Sequence, residues 1–330
     1  MKCCSRVSVV IPTYNGINLI QPCLNSLREQ ERKPDEIIVV DDASTDGTSA
    51  LISASYPDVQ LVRRETNSGF ATAVNAGITK ASGEYIALLN NDTQAHPQWL
   101  AELAKVLDEQ LSVSFCSSKM LFADRPDIIN SIGIGFTRTG IAMDVGIGER
   151  DSGKFGSSRP IFGACAGAAL YRRRLFDEIG LFDEDLVMWY EDVDLSLRAQ
   201  LAGHQCLYVP DAIVYHKGGG TVSSNERKHI YYCCRNQVLV LVKNLPRPLL
   251  ARYMLRLGWV SAKHSAKSLL KGETTPVAGY YGALKSLNQF LKKRRLTVTK
   301  SKAYESAFLS MLQLDRNGFS PEDVPPKGLA

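Results

Sequence analysis

The chain has 330 residues, of which 45% are hydrophobic, 22% charged and 8% aromatic. This balance is typical of a globular protein with a sizeable core, and it excludes a fibre, a small disulfide scaffold and a disordered chain. The net charge is +5, but residues 246–300 hold twelve Lys or Arg against one acid, Glu273, so the remainder of the chain is acidic. An acidic body with a basic C-terminal region predicts two regions with different partners.

Nothing in the hydrophobic pattern indicates a membrane span or a secretory leader. The longest apolar runs, such as 37–40 and 238–242, are far shorter than the ~18 residues that a membrane span needs. The apolar segment at 7–11 begins too soon and is too short for a signal peptide. We therefore expect a cytoplasmic protein. Its eight cysteines contain no C-x-x-C pair, so neither a zinc knuckle nor a redox dithiol is expected.

The first hundred residues alternate short β-branched runs with helical segments. This alternation is typical of a parallel sheet with crossover helices, so the chain is expected to begin as a doubly wound α/β fold. The predicted strands lie near 7–12, 36–41, 59–63 and 84–90, and the predicted helices lie near 18–30, 47–55, 70–81 and 97–109.

The pattern weakens between 120 and 160, where frequent glycines predict loops and short irregular strands. Beyond it we expect a strand at 165–171, a helix at 173–179, a helix from the acidic cluster 191–194, strands at 206–209 and 212–215, and a helix at 225–243.

Pro246 and Pro248 then mark a boundary. Residues 249–271 predict a basic amphipathic helix. Its apolar face is expected to carry Leu250, Tyr253, Met254 and Leu257. We therefore expect a main domain over 1–245 and a basic helical region over 246–330.

Acidic residues follow two of the predicted parallel strands. Asp41 and Asp42 end the second strand, and Asp92 follows the fourth. In an open α/β sheet the ligand lies outside the carboxyl ends of the strands. No G-x-G-x-x-G follows the first strand, so a dinucleotide site is not predicted. Carboxylates repel a phosphate unless a divalent cation lies between them, so the pattern predicts a metal-dependent nucleotide site.

Five motifs follow one another along the main domain. They are Pro12-Thr13-Tyr14-Asn15, residues 39–48 (VVDDASTDGT), Asn67-Ser68-Gly69-Phe70 with Asn75-Ala76-Gly77, Leu89-Asn90-Asn91-Asp92, and Tyr190-Glu191-Asp192-Val193-Asp194. In this order they resemble family 2 glycosyltransferases, over roughly residues 6–245. The resemblance implies the GT-A fold, a Rossmann-like mixed sheet with flanking helices. It also implies sugar transfer from a nucleoside diphosphate donor with inversion at the anomeric carbon.

The resemblance assigns a set of residues to the nucleotide-sugar. Pro12, Thr13 and Tyr14 are expected to border the base, and Asp42, with Asp41, is expected to hydrogen-bond the base or ribose. A second segment is expected to close around the nucleoside, and a late motif to approach the diphosphate. These further donor-site residues are Asn67, Gly69, Asn75, Asn91 and Arg235.

The metal site implied by the resemblance is reduced. Asn90-Asn91-Asp92 occupies the family's D-x-D position but keeps only the last carboxylate, which leaves Asp92 as the expected ligand of Mg²⁺ or Mn²⁺. His216 follows a predicted strand and is the expected second ligand, since imidazole is an acceptable ligand for manganese.

Inverting transfer needs a base for the acceptor hydroxyl. By resemblance that base is Asp192, with Glu191 and Asp194 supporting the site or the acceptor. Trp189 and Tyr190 are expected to stack on an acceptor sugar. The alternative for this acidic cluster is a structural role as the cap of the following helix.

We therefore expect an inverting, metal-assisted glycosyltransferase, rhamnosyltransferase-like, that uses a dTDP- or UDP-sugar and a glycan or lipid-linked acceptor in cell-surface polysaccharide synthesis. Residues 246–300 are expected to contact an anionic membrane surface at the cytosolic face. Nucleic acid is not an expected partner, because no recognised binding module accompanies the charges.

Two alternatives stay open at this level. One is a non-catalytic nucleotide-sugar or glycan-binding module, which the reduced Asn90-Asn91-Asp92 makes conceivable and Asp192 argues against. The other is a sugar-1-phosphate nucleotidyltransferase, which would need a Gly-rich triphosphate loop in place of Pro12-Thr13-Tyr14-Asn15.

Overall fold

A computed structural model describes residues 5–136, 141–218 and 226–297. Within these ranges the chain forms a ten-stranded sheet with flanking helices, a two-stranded hairpin and three long C-terminal helices. The strands are β1 Val7–Thr13, β2 Glu36–Asp41, β3 Gln60–Arg63, β4 Tyr85–Leu89, β5 Thr93–Ala95, β6 Val113–Phe122, β7 Arg125–Ser131, β8 Ile134–Phe136, β9 Ala142–Asp144, β10 Arg159–Ile161, β11 Ala168–Arg172 and β12 Gln205–His216. The helices are α1 Ile20–Arg28, α2 Thr48–Ser55, α3 Phe70–Lys80, α4 Trp99–Glu109, α5 Arg173–Ile179, α6 Glu191–Leu201, α7 Glu226–Asn244, α8 Arg247–Leu270 and α9 Thr275–Thr297.

The first half of the chain folds as its pattern predicts. The four predicted strands are β1 to β4 and the four predicted helices are α1 to α4, with ends that differ by a few residues. Strand β1 pairs in parallel with β2 and β4, and β2 pairs in parallel with β3. Every residue of β1 is buried, because Val9 and Ile11 enter the core on one face of the sheet and Val10 enters it on the other. Burial on both faces explains why residues 9–12 of this strand are apolar without alternation.

The order of the sheet brings several strand ends to one edge. That order is β10-β12-β6-β11-β4-β1-β2-β3, in which β11 is antiparallel to both of its neighbours and β12 is parallel to β6. The carboxyl ends of β1, β2, β4, β6 and β12 therefore share one edge with the start of β11. The predicted mixed α/β fold is confirmed.

One strand was not predicted, and two predicted strands form a single strand. The strand that no predicted element covers is β6, a ten-residue strand in the middle of the sheet with nine buried residues. Because both faces of β6 are covered, its sequence has no period-two alternation. The two strands predicted at 206–209 and 212–215 are one strand, β12, with a register shift between Val209 and Ile213. Pro210 lies in this shift. Because proline has no backbone N–H, it is tolerated where the regular pairing of the strands is interrupted.

The C-terminal helices pack against the main body. The aromatic rings of Tyr253 in α8 and Phe290 in α9 join a buried cluster with Leu197 of α6 and Leu241 of α7. Helix α9 approaches α7 closely at Gly279, where a Cβ atom would lie 2.6 Å from a backbone oxygen of α7. The division of the chain at residue 245 stays a prediction. In the part of the chain that the structure describes, no helix is both long and apolar enough to cross a membrane.

Candidate active site

The end of β1 meets the loop after β4. Asn91 donates its side-chain amide to Thr13 Oγ1 over 2.7 Å. Gly16 makes this contact sterically feasible, because a Cβ atom there would lie 2.3 Å from Asn91 Nδ2. Pro12 lies inside the sheet beside Val40, whereas the ring of Tyr14 is half exposed. The structure thus brings Thr13, Tyr14 and Asn91 together at the edge of the sheet.

Asp41 is buried and its carboxylate bonds to the loop that follows it. Its Oδ1 accepts a hydrogen bond from the Ser44 amide at 2.9 Å, and its Oδ2 accepts one from the Ser49 hydroxyl. The side chain therefore shapes the turn between β2 and α2.

Asp42 is also buried and is held by protein groups. Its Oδ2 accepts hydrogen bonds from the amides of Ser68 (3.0 Å) and Gly69 (2.8 Å), and its Oδ1 lies 2.9 Å from Arg64 Nε. Burial raises the pKa of this carboxyl, and the Gly69 amide and Arg64 oppose that shift. Asp42 thereby anchors the segment next to the exposed residue Asn67.

That segment is also tied to the loop before α6. Gly69 has a φ of +93°, and a Cβ atom there would lie 2.6 Å from Val187 Cγ1. The Asn75 amide donates to the Phe182 carbonyl (2.9 Å) and to Glu184 Oε1 (3.0 Å), and its oxygen accepts from the Phe182 amide (3.0 Å). Gly69 and Asn75 therefore join the donor-side segment to the loop that leads into α6.

Asp92 and His216 form a pair at the same edge. The Oδ2 of Asp92 lies 3.2 Å from Nε2 of His216, and both side chains are partly exposed. They meet because β5 pairs antiparallel with β12, in a register that places Thr93 opposite His216. On the far side of the ring, Nδ1 lies 3.0 Å from Asn130 Oδ1. A proton on Nδ1 would donate to Asn130 and leave the lone pair of Nε2 directed to Asp92.

This pair suits a divalent cation. One carboxylate oxygen and one imidazole nitrogen are compatible with Mn²⁺, and a Mg²⁺ site commonly has one or two carboxylates plus substrate phosphates and water. Among the described residues, no group of three or more His, Cys, Asp and Glu side chains converges on one point. A cation bound here would therefore have Asp92 and His216 as its protein ligands, with diphosphate oxygens and water completing its coordination.

A short segment before β11 links the donor side to α6. The Asn90 amide donates to the Gly167 carbonyl at 2.9 Å, and the Ala166 amide lies 3.4 Å from Asp192 Oδ2. Gly167 thus contacts the end of β4, which precedes Asp92, and its neighbour Ala166 contacts the carboxylate of Asp192.

Asp192 is in an environment that disfavours its charge. Burial is the main cause and Asp144 of β9 the next, and together they raise the pKa of Asp192 to about 6. Cys165, Tyr171 and Glu191 also face this carboxylate. Asp192 is still mostly ionised at pH 7, and an acid with a pKa just below the working pH is an effective general base. Sequence reasoning missed Asp144, because it lies in the weakly patterned segment.

Burial disfavours the charged form of Glu191 as well. Its side chain is buried, and its Oε2 has no hydrogen-bond partner in the described part of the chain. Burial, followed by the nearby charge of Asp192, raises the pKa of Glu191 well above its usual range. The acid form is therefore favoured next to the Asp192 carboxylate.

Asp194 is fully buried inside a charged network. It contacts Lys243 Nζ (2.9 Å), Arg198 Nε (2.8 Å) and Asn244 Nδ2 (2.7 Å), and Lys243 also contacts Asp183 at 2.7 Å. Burial alone would raise the pKa of Asp194, but Lys243 and Arg198 hold that pKa well below its usual range. Asp194 thus fixes α6 to α7 and presents no free oxygen to a substrate.

The loop into α6 has an unusual backbone. The φ angles of Val187, Trp189 and Tyr190 are 65°, 58° and 71°. Residues other than glycine rarely adopt positive φ angles. Asn236 of α7 is completely buried and its amide donates to three carbonyls of this loop. These are the carbonyls of Leu186 (2.8 Å), Met188 (3.0 Å) and Trp189 (2.8 Å). The strained loop that positions Trp189, Tyr190 and Asp192 is therefore held from behind by α7.

Arg235 supports the same loop. Its guanidinium donates to the Asp185 carbonyl (3.1 Å), to Asn236 Oδ1 (2.7 Å) and to Ser286 Oγ of α9 (3.0 Å). These bonds direct the side chain of Arg235 to α9. The contact of Arg235 with the diphosphate stays a prediction. Asn236 belongs with Arg235 to the late motif that the resemblance places near the diphosphate. Ser286 was not singled out from the sequence, because only the fold brings it to the loop.

Comparisons with known proteins agree with this architecture. The family model described as "Glycosyl transferase family 2" matches residues 8–180, a little over half of the chain. An uncharacterised glycosyltransferase of Bacillus subtilis, YwdF, is 31% identical over 210 residues, which cover 59% of this chain and 68% of that protein. The succinoglycan biosynthesis protein ExoO of Rhizobium meliloti is 29% identical over 66% of this chain and 62% of its own length. The N-acetylglucosaminyl-diphospho-decaprenol L-rhamnosyltransferase of Mycobacterium tuberculosis is 27% identical over 67% of this chain and 79% of its own length.

Solved structures show the same fold at low identity. The mannosyltransferase PcManGT of Pyrobaculum calidifontis, in complex with GDP-Man and Mn²⁺, has a TM-score of 0.54 at 20% identity, over 96% of this chain and 89% of its own. The TarS 1-349 fragment of S. aureus, in complex with UDP-GlcNAc, has a TM-score of 0.58 at 21% identity, over 93% of this chain and 88% of its own. The fold is GT-A. The chain is a glycosyltransferase and belongs to glycosyl transferase family 2.

Proposed function

We propose that this protein is an inverting glycosyltransferase of cell-surface polysaccharide synthesis. Its donor would be a dTDP- or UDP-sugar, with rhamnose as the leading candidate, and its acceptor a glycan or a lipid-linked glycan. The observation that carries the proposal is the segment Ala166–Gly167, which contacts both Asp192 and the strand end before Asp92. An acceptor base and a donor-side carboxylate at one cleft are what a single displacement requires.

The names of the relatives support the acceptor class. ExoO is named for succinoglycan biosynthesis, and the mycobacterial relative is named as a rhamnosyltransferase acting on a decaprenol diphosphate glycan. The first name gives a glycan as the product and the second a diphospho-decaprenol-linked sugar as the acceptor, and both chains match about two thirds of this one.

Asp192 would carry out the proton transfer. As the acceptor oxygen forms its bond to the anomeric carbon, the Asp192 carboxylate takes the hydroxyl proton. The bond between the anomeric carbon and the diphosphate oxygen breaks at the same time, and its electron pair leaves with the nucleoside diphosphate. Attack from the face opposite the leaving group inverts the anomeric carbon. Burial disfavours a second negative charge at Glu191, beside this base.

The donor side would be formed by the ends of β1, β2, β4 and β12. Thr13 and Tyr14 would border the base, with Asn91 fixing the β1 end, while Asp92 and His216 would hold Mg²⁺ or Mn²⁺. Such a cation supplies positive charge against the departing diphosphate. Asp41, Asp42, Asn67, Gly69 and Asn75 would support the nucleoside pocket through the turns that they organise.

The test separates donor binding from transfer. Asp192→Asn should lower transfer to the acceptor by about a hundredfold or more and leave calorimetric binding of UDP or dTDP unchanged. Asp211→Asn is the matched control, because Asp211 is an exposed acid of β12. Asp92→Ala should weaken nucleotide binding in Mn²⁺ or Mg²⁺ and abolish its sensitivity to chelator.

Two results would reject the proposal. If Asp192→Asn transferred sugar at the parent rate, Asp192 would not be the base. If a folded protein bound no nucleotide under any metal condition, the donor site would be misassigned and a glycan-binding role would be favoured instead.

A further inference from the structure

Helix α8 has apolar side chains on two sides. The first side faces the protein: Tyr253 and Leu257 are buried, and Leu250 and Met254 pack against the same cluster. The apolar face expected from the sequence is therefore an internal packing surface. The second side faces outward and is formed by Leu255 (79% exposed), Trp259 (63%), Leu269 (52%) and Leu270 (90%).

The outward residues of α8 form one stripe. Leu255 and Trp259 are four residues apart, and the exposed Ala262 and Ala266 continue the spacing to Leu269. Steps of three and four residues keep side chains on one face of a helix. An exposed apolar stripe of this length on a helix that is already packed on its other side needs a separate explanation.

Helix α9 repeats the pattern. Its exposed apolar residues are Val277, Tyr281, Leu284 and Leu291, again in steps of three, four and seven. We call the stripe of α8, formed by Leu255, Trp259, Leu269 and Leu270, and that of α9, formed by these four residues, the outward stripes.

Basic residues border both outward stripes. Lys263 lies with its ammonium 3.8 Å from the centre of the Trp259 ring, and Lys285 lies 4.8 Å from that of Tyr281. Lys267 and Lys292 are also exposed. Residues 247–297 contain one acid, Glu273. A second copy of the chain would bring these like charges together, whereas anionic lipid headgroups would neutralise them.

We propose that the outward stripes and their flanking lysines dock the protein on an anionic membrane surface. Apolar side chains beside a row of cations are the composition of helices that lie in the membrane interface with their axes parallel to it. Aromatic residues such as Trp259 and Tyr281 are favoured at the headgroup level.

The inner face of α9 connects this surface to the active site. Ser286 bonds to Arg235, Gln289 Nε2 lies 2.5 Å from Asp185 Oδ2, and Lys293 bonds to Asp183. These contacts hold the loop that leads into α6. Because a helix with its side chains is roughly 10–12 Å across, docking would hold that loop within about one helix diameter of the lipid surface. This placement suits a lipid-linked acceptor, and to that extent it rests on the proposed function.

Vesicle sedimentation of the full chain tests the docking surface. The probes are phosphatidylcholine vesicles with and without phosphatidylglycerol. The parent should bind only the anionic vesicles. Leu255→Gln with Trp259→Gln should lower that partition by at least about tenfold, because two apolar side chains that would enter the lipid interface are lost. Leu111→Gln should bind as the parent does, since Leu111 is an equally exposed leucine in the turn before β6.

Charge variants and a soluble-substrate assay complete the design. Lys263→Gln with Lys267→Gln should lower partition into anionic vesicles by about fivefold per charge. All these variants should transfer sugar to a water-soluble acceptor at the parent rate, so a failure of docking is distinguishable from a failure of the proposed function. Circular dichroism would confirm that each variant is folded.

Three results would overturn the proposal. The first is a Leu255→Gln/Trp259→Gln variant that binds anionic vesicles as the parent does. The second is equal binding of the parent to neutral and anionic vesicles. The third is a concentration-dependent dimer that the same double variant abolishes, which would assign the outward stripes to a second copy of the chain.

Discussion

Replacing Asn236 should uncouple catalysis from donor binding. The buried Asn236 amide donates to three carbonyls of the loop before α6, at 2.8, 3.0 and 2.8 Å. Asn236→Ala removes these bonds and leaves the three oxygens without this donor. The amide has two N–H groups, so one of them is shared between two carbonyls. At a net value of about 0.5–1.5 kcal/mol for each N–H, the loss is about 1–3 kcal/mol of folding stability.

The same change should release stored backbone strain. Three loop residues, Val187, Trp189 and Tyr190, have positive φ values, and each such residue costs about 1–3 kcal/mol unless its surroundings enforce it. Without Asn236 the loop can relax, and Asp192, two residues beyond Tyr190, would move with it. A displacement of about 1 Å at a reacting group can cost about a hundredfold in rate. We therefore expect kcat to fall by about a hundredfold.

Three measurements on Asn236→Ala check this reasoning. Urea denaturation should show the loss of stability, steady-state assays the loss of kcat, and calorimetry an unchanged Kd for the donor nucleotide. Asn288→Ala is the matched control, because Asn288 is exposed on α9 and its replacement should change stability by no more than about 0.5 kcal/mol. Asn236→Ala with the stability loss but a parental kcat would refute the role of the loop strain.

Two further predictions concern the charged groups of the site. Lys243→Met should lower the free energy of unfolding by about 3–5 kcal/mol, because it leaves the buried Asp194 without one of its cations. The control is Lys105→Met, at an exposed position of α4. Equal urea midpoints for the two variants would contradict the reasoning. If Asp192 is the base, as proposed, the acidic limb of kcat/KM should lie near pH 6, because the pKa of Asp192 is raised to about 6. Asp144→Asn removes one cause of the raised pKa of Asp192, so the acidic limb should move to lower pH. Activity at pH 5 should then increase relative to the value at pH 7. A limb that stays in place or moves to higher pH would show that Asp144 does not act on Asp192.

Local pattern was sufficient for the elements that fold by simple alternation. The apolar segments of β1, β2 and β4 and the helices between them were predicted, because buried parallel strands and their crossover helices differ clearly in residue type. Strand β6 was not predicted, since its Ser, Cys and Lys residues acquire a buried environment only when neighbouring strands cover both of its faces.

The site residues also divide into those that motifs predict and those whose contacts depend on the fold. Asp92, His216 and Asp192 were predicted from motifs, and the structure places Asp92 beside His216 and links Asp192 to the same strand end. Asn130 could not be predicted, because a single asparagine has no pattern until the fold brings it to a partner. Asn236 was named with Arg235 in the late motif, but its contact with the loop before α6 depends on the fold.

The amino-acid sequence by itself therefore determined the family, the order of the first elements and the carboxylates available for chemistry. Only the tertiary structure decided the surroundings of each of those carboxylates. Asp42 and Asp194 are held by amides and cations from distant segments, whereas Asp192 is left beside Asp144 with a raised pKa. It also decided which side of α8 meets the protein, leaving Leu255 and Trp259 outward. The physical reason is that burial and charge pairing depend on contacts between residues far apart in the chain, which no local pattern contains.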